Sequence, residues 1–381
     1  MANSVNVFAG IPAINRTLYH RIRFSVGDPV AIIESDGQNT LILRDIEMER
    51  ARQAERVHHV HCPAEFAPEQ GLSGDRETAT AQALAECLVR RGIGSVTVDR
   101  SLPMSFAHEL EQRSVTLTYN PSLGVEERRA KDPQEVECLR EAQRITARVM
   151  RRACEWVASA EADAKGHLLK DGVALTSERV QTKIDIWLLE ENCSNPGSIV
   201  AGGPQGADCH HRGTGPLKTG QPIIIDIFPC HKATGYNGDC TRTVVHGDIP
   251  DEVSRMHQAV AAAKAAGIAA TAAGTSGEAV HLATIHEIEA FGFESDRPTD
   301  SLPQNTPSMT HGTGHGIGLD VHEPPLLDFK GPELVVGDAL TIEPGLYSTR
   351  VGGVRLEDLI VATETGCEHL NADLSEGLVW R

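Results

Sequence analysis

Long apolar runs and an excess of basic charge are both missing from this sequence. No segment approaches the roughly 18 consecutive apolar residues of a membrane-spanning helix, and the amino-terminal segment has no apolar core of signal-peptide length. Lys and Arg number 35 against 53 Asp and Glu, which gives a formal net charge of −18. Without a dominant basic surface, nucleic acids and membranes are not expected partners, and a soluble protein is expected.

Paired cysteines are absent as well. The nine cysteines form an odd number and include no Cys-x-x-Cys pair, so we expect reduced thiols and a cytoplasmic location. Cys240 lies beside Asp239 and Cys209 lies beside His210, which makes thiolate ligation of a metal an alternative. We favour small buried thiols at both positions.

Three common catalytic motifs are also missing. The sequence contains no Walker P-loop and no Gly-x-Ser-x-Gly elbow, and none of its His-Glu pairs continues to a second histidine at zincin spacing. P-loop nucleotide hydrolysis, serine catalysis of the α/β-hydrolase type and zincin chemistry are therefore excluded.

The length and composition predict two domains. A chain of 381 residues that is 40% hydrophobic and 23% charged is typical of a soluble protein large enough for two cores. A turn-rich segment precedes Asp132-Pro133, where a long helix is predicted to begin. We place an α/β domain over residues 1–125 and a second domain over residues 126–381. The predicted elements are strands at 29–34, 39–43 and 95–99 and helices at 78–91, 132–159, 251–271 and 276–291.

Four acidic residues in the second domain each adjoin a strand-like apolar run: Asp226, Asp239, Glu343 and Glu357. They belong to an internal repeat, because a Leu-x-x-Gly pair precedes Asp226 and Glu343 at the same spacing, with an offset of 117 positions. A second acid follows after 13 residues in one half and after 14 in the other. Two similar halves that face one another would bring the four carboxylates together.

The segment that runs from His311 through His315 to His322 supplies imidazoles on a glycine-rich frame. Four carboxylates and one histidine form a donor set suited to two divalent cations. We expect Mn²⁺ or Co²⁺, with Zn²⁺ and Fe²⁺ as alternatives, and a water activated between the ions.

Basic residues are too few to neutralise these acids. Arg242 and Arg355 are the only basic residues close to them in sequence, and unpaired buried carboxylates are costly, which favours bound metal. Arg355 and Glu357 are two residues apart on a strand and project to the same face. We therefore expect Arg355 to orient Glu357 or another carboxylate by a hydrogen bond behind the metals.

For the other histidines considered, we favour roles outside the predicted metal site. His281 and His286 are five apart on a predicted helix and are expected to be solvated. The segment His58-His59-x-His61-Cys62 is a second candidate metal site, although decoration of a strand and its end is the favoured interpretation.

The motifs around these residues resemble those of the pita-bread metallopeptidases, the family of aminopeptidase P, prolidase, methionine aminopeptidase and creatinase. The matching segments are Tyr236-Asn-Gly-Asp239-Cys-Thr-Arg-Thr, His311-Gly-Thr-Gly-His315, Thr341-Ile-Glu-Pro-Gly and Val354-Arg-Leu-Glu357-Asp, together with Asp226. The resemblance implies an α/β (α+β) protein, in which a small creatinase-like α/β domain precedes a catalytic domain with a duplicated, curved antiparallel sheet covered by helices. The helix entry at Arg129-Ala-Lys131-Asp-Pro-x-Glu135 resembles the Xaa-Pro branch.

The resemblance also implies residue roles. It makes Asp226 a ligand of one metal, and it makes Asp239 and Glu357 ligands of both. His315 and Glu343 would complete the coordination of the second metal. Glu343 would also accept a proton from the attacking water. The catalytic histidines it implies are His322 near the scissile carbonyl, His311 near the residue after the cut, and His210 in the substrate pocket, with His211 as the alternative.

The implied function is an Xaa-Pro aminopeptidase that acts on peptides and forms a homodimer. A prolidase, which cleaves Xaa-Pro dipeptides, is the alternative. Two further alternatives are a creatinase-like amidinohydrolase that works without metal and a binding protein that has lost catalysis. Retention of every ligand position argues against the last two.

Overall fold

The structure, a computed structural model, describes residues 5–54, 56–295 and 305–381. Contacts within the chain divide it into two units, with the division between Arg128 and Arg129. Within the described ranges, no helix combines the length and the apolar composition needed to cross a membrane.

The first unit is built on a mixed six-stranded sheet. Its strands are β1 (Asn6–Gly10), β2 (Val30–Ser35), β3 (Gln38–Ile42), β4 (His59–His61), β5 (Ser95–Val98) and β6 (Thr116–Tyr119). They lie in the order β4-β3-β2-β1-β5-β6, with β1, β2 and β3 antiparallel and the outer strands added in parallel. The helices are α1 (Arg16–Ile22), α2 (Met48–Ala51), α3 (Arg76–Arg90), α4 (Met104–Gln112) and α5 (Glu126–Arg129), with short 3-10 helices at Asp45–Glu47 and Pro63–Phe66.

Local sequence signals account for these elements. The turn between β2 and β3 has positive φ at Asp36 (53°) and Gly37 (72°), as a two-residue hairpin requires. α3 begins after Asp75, whose side chain accepts a hydrogen bond from the Thr78 backbone nitrogen. Its apolar face, which includes Leu84 and Leu88, is buried with residues of the sheet.

In its described residues, the second unit contains four long helices and several small antiparallel sheets. The helices are α6 (Pro133–Ala158), α7 (Ser177–Glu190), α8 (Asp251–Ala270) and α9 (Gly277–Ala290), with a 3-10 helix at Gly203–Ala207. The strands are β7 (Glu161–Ala162), β8 (Leu168–Lys170), β9 (Val173–Ala174), β10 (Cys193–Ser194), β11 (Ile199–Gly202), β12 (Pro222–Ile227), β13 (Cys230–His231), β14 (Cys240–Val245), β15 (Gly314–Gly316), β16 (Glu323–Leu327), β17 (Ala339–Ile342), β18 (Gly345–Ser348), β19 (Gly352–Arg355), β20 (Asp358–Ala362) and β21 (Cys367–His369).

Two sheets of this unit carry the predicted site. One has the order β11-β12-β14 and the other the order β16-β15-β17-β20-β21. A hydrogen bond links β14 to the residue before β20: the Glu357 backbone nitrogen donates to the Thr241 carbonyl at 3.1 Å. The adjacent hairpin strand β19 also contacts β14, where the Arg355 nitrogen donates to Thr243 Oγ1 at 3.0 Å. Because the link lies where β14 and β20 begin, it brings the acid-bearing ends of both sheets together.

The helices cover these sheets from outside. α6 begins with a capping box, in which Asp132 and Glu135 exchange side-chain and backbone hydrogen bonds, and Pro133 occupies its first turn. The buried face of α6 belongs to the same apolar cluster as β12 and β14. α8 packs Met256 and Val260 into a second cluster with Leu346 and Val354 of the β18–β19 hairpin. The strands thus have apolar neighbours on the side away from the site.

Candidate metal centre and active site

The four predicted acids lie at strand ends that meet at one cavity. Asp226 is near the end of β12 and pairs across the sheet with Thr241, while Asp239 immediately precedes β14. Glu343 follows β17, and Glu357 precedes β20. All four side chains and His315 line a cavity of about 620 Å³.

Side-chain distances show how closely these groups converge. His315 Nε2 lies 3.5 Å from Glu343 Oε1 and 3.8 Å from Asp239 Oδ2. One donor atom from each of Asp239, His315 and Glu357 can be chosen so that all three lie within 4.8 Å of one another. The structure therefore brings together residues separated by more than a hundred positions in sequence.

Neighbouring groups fix the orientation of His315 and Asp239. The Nδ1 atom of His315 donates to the Gly316 carbonyl at 3.0 Å, which leaves the lone pair of Nε2 facing the carboxylates. The Gln143 side chain on α6 donates to the Asp239 carbonyl at 2.7 Å and accepts from the Asp239 nitrogen at 2.8 Å. The long helix thus anchors the backbone of one acid.

Arg355 and Thr241 each hold a carboxylate from the opposite half of the repeat. Arg355 donates from Nη2 to Asp226 Oδ2 at 2.7 Å, and Thr241 donates from Oγ1 to Glu357 Oε2 at 2.7 Å. Arg355 Nε also donates to Thr241 Oγ1 at 3.2 Å. The expected hydrogen bond from Arg355 to a carboxylate is present, and its acceptor is Asp226.

Arg242 is close to the acids in sequence, but its side chain does not pair with any of the four. It is fully buried and donates from Nη2 to Asp358 Oδ1 and from Nη1 to the Glu357 carbonyl, each at 2.7 Å. Successive side chains of β14 alternate between faces, so Thr241 faces the cavity while Arg242 points behind it. Arg242 is therefore part of the support of the site.

The cavity concentrates negative charge. Burial raises the pKa of Asp239 and Glu357, and repulsion from neighbouring carboxylates raises both further. Burial also raises the pKa of Glu343, although His311 and Arg355 oppose this shift. Asp226 Oδ1 is buried without a hydrogen-bond partner in the part of the chain that the structure describes.

These properties fit bound divalent cations. Within the described ranges, Arg355 is the one guanidinium seen to pair with a cavity acid, and it reaches only Asp226. The remaining carboxylates and the free oxygen of Asp226 would gain charge compensation from metal. Carboxylate oxygens with a single imidazole suit Mn²⁺ or Co²⁺.

His311 belongs to a hydrogen-bonded chain that the sequence did not reveal. Its Nδ1 donates to the Gly312 carbonyl at 2.8 Å, so the neutral ring can accept at Nε2 from the Tyr347 hydroxyl, 2.7 Å away. Arg355 Nη1 donates to the same hydroxyl at 3.1 Å. No local pattern of the sequence indicates this contact, because Tyr347 lies in β18 and is 36 positions from His311.

His322 is also at the cavity. It is exposed, and its ring centroid lies 4.3 Å from that of His315 in an edge-to-face arrangement. Partial burial and the neighbouring His315 lower the pKa of His322, which favours the neutral imidazole. A neutral ring beside the carboxylates can accept a proton.

The structure separates His210 from His211. His210 lines the cavity, whereas His211 is not among its lining residues, and its Nδ1 accepts a hydrogen bond from the Gly213 nitrogen at 2.9 Å. Cys209 also lines the cavity, and its carbonyl accepts from Arg355 Nη1 at 3.2 Å. Cys240 is fully buried, and burial raises the pKa of its thiol. Both properties agree with the small buried thiol expected at this position.

The expectations for two other sets of histidines, one on α9 and one near β4, can be compared with the structure. The expectation of solvation is wrong for His281, which is 3% exposed, whereas the His286 side chain is 79% exposed. In the first unit, His58 Nδ1 accepts from the Asn39 nitrogen, and His61 contacts Glu65. These contacts agree with strand decoration.

The rest of the cavity wall combines apolar and charged side chains. Its apolar members include Pro196, Ile199, Phe228, Val321 and Leu326, and Arg212 and Asp328 add one charge of each sign. Cations held by carboxylates, with neutral imidazoles close by, can activate a water and exchange protons with a substrate in such a cavity.

Solved structures share this fold over nearly the whole chain. The prolidase from Pyrococcus horikoshii OT3 has a TM-score of 0.78 and 20% sequence identity, and the alignment covers 99% of this chain and 96% of that one. The X-Pro aminopeptidase from Thermotoga maritima MSB8 has a TM-score of 0.78 and 21% identity, with 99% and 97% coverage. At these identities the likeness concerns the fold, and it confirms the predicted pita-bread architecture.

Curated relatives match a shorter part of the chain. The protein named "Probable dipeptidase PepE" of Mycobacterium bovis is 30% identical over 248 residues, which are 64% of this chain and 59% of PepE. "Uncharacterized peptidase YqhT" of Bacillus subtilis is 34% identical over 151 residues, 39% of each protein. The alignments thus span less than two thirds of these relatives.

The family assignment depends on the part of the chain that contains the cavity acids. The model of metallopeptidase family M24 matches residues 137–364, which is more than half of the 381 residues. This range includes every carboxylate and histidine that converges on the cavity. The resemblance inferred from the motifs is therefore confirmed, and the chain belongs to metallopeptidase family M24.

Proposed function

We propose that the chain is a metal-dependent peptidase that holds two divalent cations and hydrolyses the bond between an amino-terminal residue and proline. The observation that carries the proposal is the convergence of four carboxylates and His315 in a cavity with too few cations of its own. Bound cations would supply positive charge that lowers the pKa of a water and polarises a carbonyl.

Five residues would hold the cations. As the family resemblance implies, Asp226 would bind one ion, and Asp239 and Glu357 would bind both. His315 and Glu343, whose nearest side-chain atoms are 3.5 Å apart, would complete the second ion. Mn²⁺ is the proposed physiological metal, with Co²⁺ as the next candidate.

Other cavity residues would handle protons and the substrate. Glu343 would accept a proton from the attacking water, a role suited to a carboxylate whose pKa is raised by burial. His322, which lies at the cavity and whose pKa is lowered by burial and by His315, would relay protons near the scissile carbonyl. His311 would contact the residue after the cut, and His210 would line the substrate pocket. Arg355 would hold Asp226 in the geometry that the cation needs.

The proline preference is supported by relatives and fold neighbours. Proteins of similar sequence include a "Xaa-Pro dipeptidase" from Pyrococcus horikoshii, which is 24% identical over 289 residues and is aligned over 73% of each chain. Among the described residues, no cavity side chain identifies proline by its own chemistry, so the preference is proposed from these relatives and fold neighbours.

Dipeptides are a second candidate substrate class, and Arg212 favours them. This exposed arginine lines the cavity, and its Nη2 donates a hydrogen bond to the Pro196 carbonyl at 3.5 Å. Its guanidinium packs against Gly197, two residues before Ile199, which pairs with Asp226. A free carboxylate on a short substrate would match this charge.

A homodimer in the cytoplasm completes the proposal. All nine cysteines lie in the described ranges and are free thiols, as a reducing compartment predicts. Sedimentation of the purified protein would test the dimer, with a monomer as the contrary result.

The deciding experiment combines metal and substrate. Metal-free protein would be mixed with Mn²⁺, Co²⁺, Zn²⁺ or Fe²⁺ and assayed on Xaa-Pro dipeptides, Xaa-Pro-Yaa tripeptides and matched Xaa-Ala peptides. We expect chelation to abolish hydrolysis, Mn²⁺ or Co²⁺ to restore it, and proline peptides to be preferred. Hydrolysis that is indifferent to the chelator would favour the metal-independent alternative, and equal cleavage of alanine peptides would reject the proline preference.

A further inference from the structure

A buried histidine on α9 contacts the segment that carries two of the cavity histidines. His281 is 3% exposed, and its Nδ1 lies 2.9 Å from Thr313 Oγ1. Its Nε2 lies 3.6 Å from Asp328 Oδ1, and its ring packs edge-on against Phe329 at a centroid distance of 4.9 Å. His281 thus joins the His311–His315 segment to the loop after β16.

Between His311 and His315, Thr313 is the one residue whose side chain can hold the segment in place. The three residues between His311 and His315 are Gly-Thr-Gly, so Thr313 alone has a side chain there. Its backbone nitrogen donates to the Leu327 carbonyl and its carbonyl accepts from the Glu343 nitrogen, each at 2.7 Å. Thr313 is completely buried, and its position is therefore coupled to both histidines and to Glu343.

The flanking glycines make the segment sensitive to small displacements. A Cβ atom at Gly314 would lie 1.9 Å from the Thr341 carbonyl oxygen, and one at Gly312 would lie 3.0 Å from that of Leu327. The main chain is packed against its neighbours on both sides of Thr313. A shift of Thr313 would therefore move His311 or His315 rather than be absorbed locally.

The charges around His281 define its hydrogen bond to Thr313. Its Nε2 faces the Asp328 carboxylate, which favours a proton on that nitrogen. Nδ1 is then the acceptor, and the Thr313 hydroxyl donates to it. The imidazole therefore accepts a hydrogen bond from the hydroxyl between the two histidines and turns Nε2 toward a carboxylate of the cavity wall that lies 3.6 Å away.

We propose that His281 is a positioning residue, which holds Thr313 so that His311 and His315 keep their orientation at the metal centre. The inference rests on the proposed function, because it assigns His281 a part in that reaction. His281 does not line the cavity and would touch neither the substrate nor the metals.

The test compares variants of His281 in the full chain. His281→Leu should lower kcat roughly 10- to 100-fold with little change in KM, because displaced catalytic groups lose activity steeply with distance. The same variant should bind Mn²⁺ more weakly, measured by electron paramagnetic resonance or calorimetry. His281→Asn places a polar atom near the position of Nδ1 and should recover part of both losses. His286→Leu, on the exposed face of the same helix, is the matched control and should behave as wild type.

A double-mutant cycle identifies the partner. Thr313→Val should lower kcat on its own, and its effect should not add to that of His281→Leu, since both remove one hydrogen bond. Additive losses, or wild-type kcat and Mn²⁺ affinity in His281→Leu, would overturn the proposal. So would losses that only follow a lower Tm and are not recovered in His281→Asn.

The design separates failure of this inference from failure of the proposed function. If the wild-type protein with Mn²⁺ hydrolysed no peptide, the proposed function would fall. If wild type were active while His281→Leu matched it, only the positioning role would fall. Should His281→Leu not fold, His281→Asn and Thr313→Val carry the same comparison with milder changes.

Discussion

The two halves of the internal repeat supply the same number of acids in different settings. In the first half, Asp226 is within β12 and Asp239 precedes β14. In the second half, Glu343 and Glu357 flank the β18–β19 hairpin, yet the spacing between the acids differs by only one residue. The repeat therefore conserves the distance between acids along the chain but not the structure between them.

The halves are also joined by reciprocal hydrogen bonds. Arg355 of the second half donates to Asp226 of the first, and Thr241 of the first half donates to Glu357 of the second. The partner is a charged guanidinium in one direction and a neutral hydroxyl in the other. Asp226 and Glu357 therefore each depend on a donor from the other half for their orientation.

The largest effect should come from the two carboxylates at the junction between the halves. We expect Asp239→Asn and Glu357→Gln each to reduce peptide hydrolysis to background and to weaken binding of both metals, because each residue would contact both ions. Metal content by elemental analysis and hydrolysis of an Xaa-Pro peptide would be measured together. Glu364→Gln, at an exposed position, is the control. Full metal content in either site variant would contradict the assignment of that carboxylate to both ions.

The second-largest effect should come from loss of the charged hydrogen bond between the halves, from Arg355 to Asp226. Arg355→Met removes the guanidinium that contacts Asp226, Tyr347 and Thr241, and we expect about a 100-fold loss of kcat/KM, the upper end for groups that support metal ligands. Arg355→Lys keeps the charge but not the planar set of donors, so recovery should be partial. A lysine variant with full activity would show that charge alone is sufficient. Thermal unfolding of both variants would show whether the loss is one of stability.

The smallest effect should come from loss of the neutral hydrogen bond between the halves, from Thr241 to Glu357. Thr241→Val preserves shape and removes the hydroxyl that donates to Glu357, so we expect about a tenfold loss of kcat/KM. Thr182→Val on the exposed face of α7 serves as the control. A loss as large as that of Arg355→Met would mean that the two directions of cross-bonding are equally important.

The secondary structure was predictable wherever the sequence carries local signals. The helix expected over 132–159 is observed as Pro133–Ala158, because Asp132, Pro133 and Glu135 define its start without help from the rest of the chain. The helices expected near 251–271 and 276–291 are observed as Asp251–Ala270 and Gly277–Ala290. Caps and helix propensity act within a few residues, so they can be read from the sequence.

The partners of charged and polar side chains were less predictable. Period-2 alternation correctly placed Arg355 toward the acids but left open whether its acceptor would be Glu357 or another carboxylate. The same alternation, applied to β14, turns Arg242 away from the cavity and toward Asp358. His281 was expected to be solvated because helical spacing describes only the helix itself. Burial of His281 depends on Thr313 and Phe329, which come from elsewhere in the chain.

The sequence by itself determined which residues could bind metal, in what order they occur and that they repeat, because ligand chemistry and strand periodicity are properties of short segments. The tertiary structure alone decided which carboxylate each donor reaches, that Tyr347 joins His311 to Arg355, and that His281 is buried. These contacts link residues far apart in the chain, and their geometry is fixed only when two sheets and their helices pack against one another.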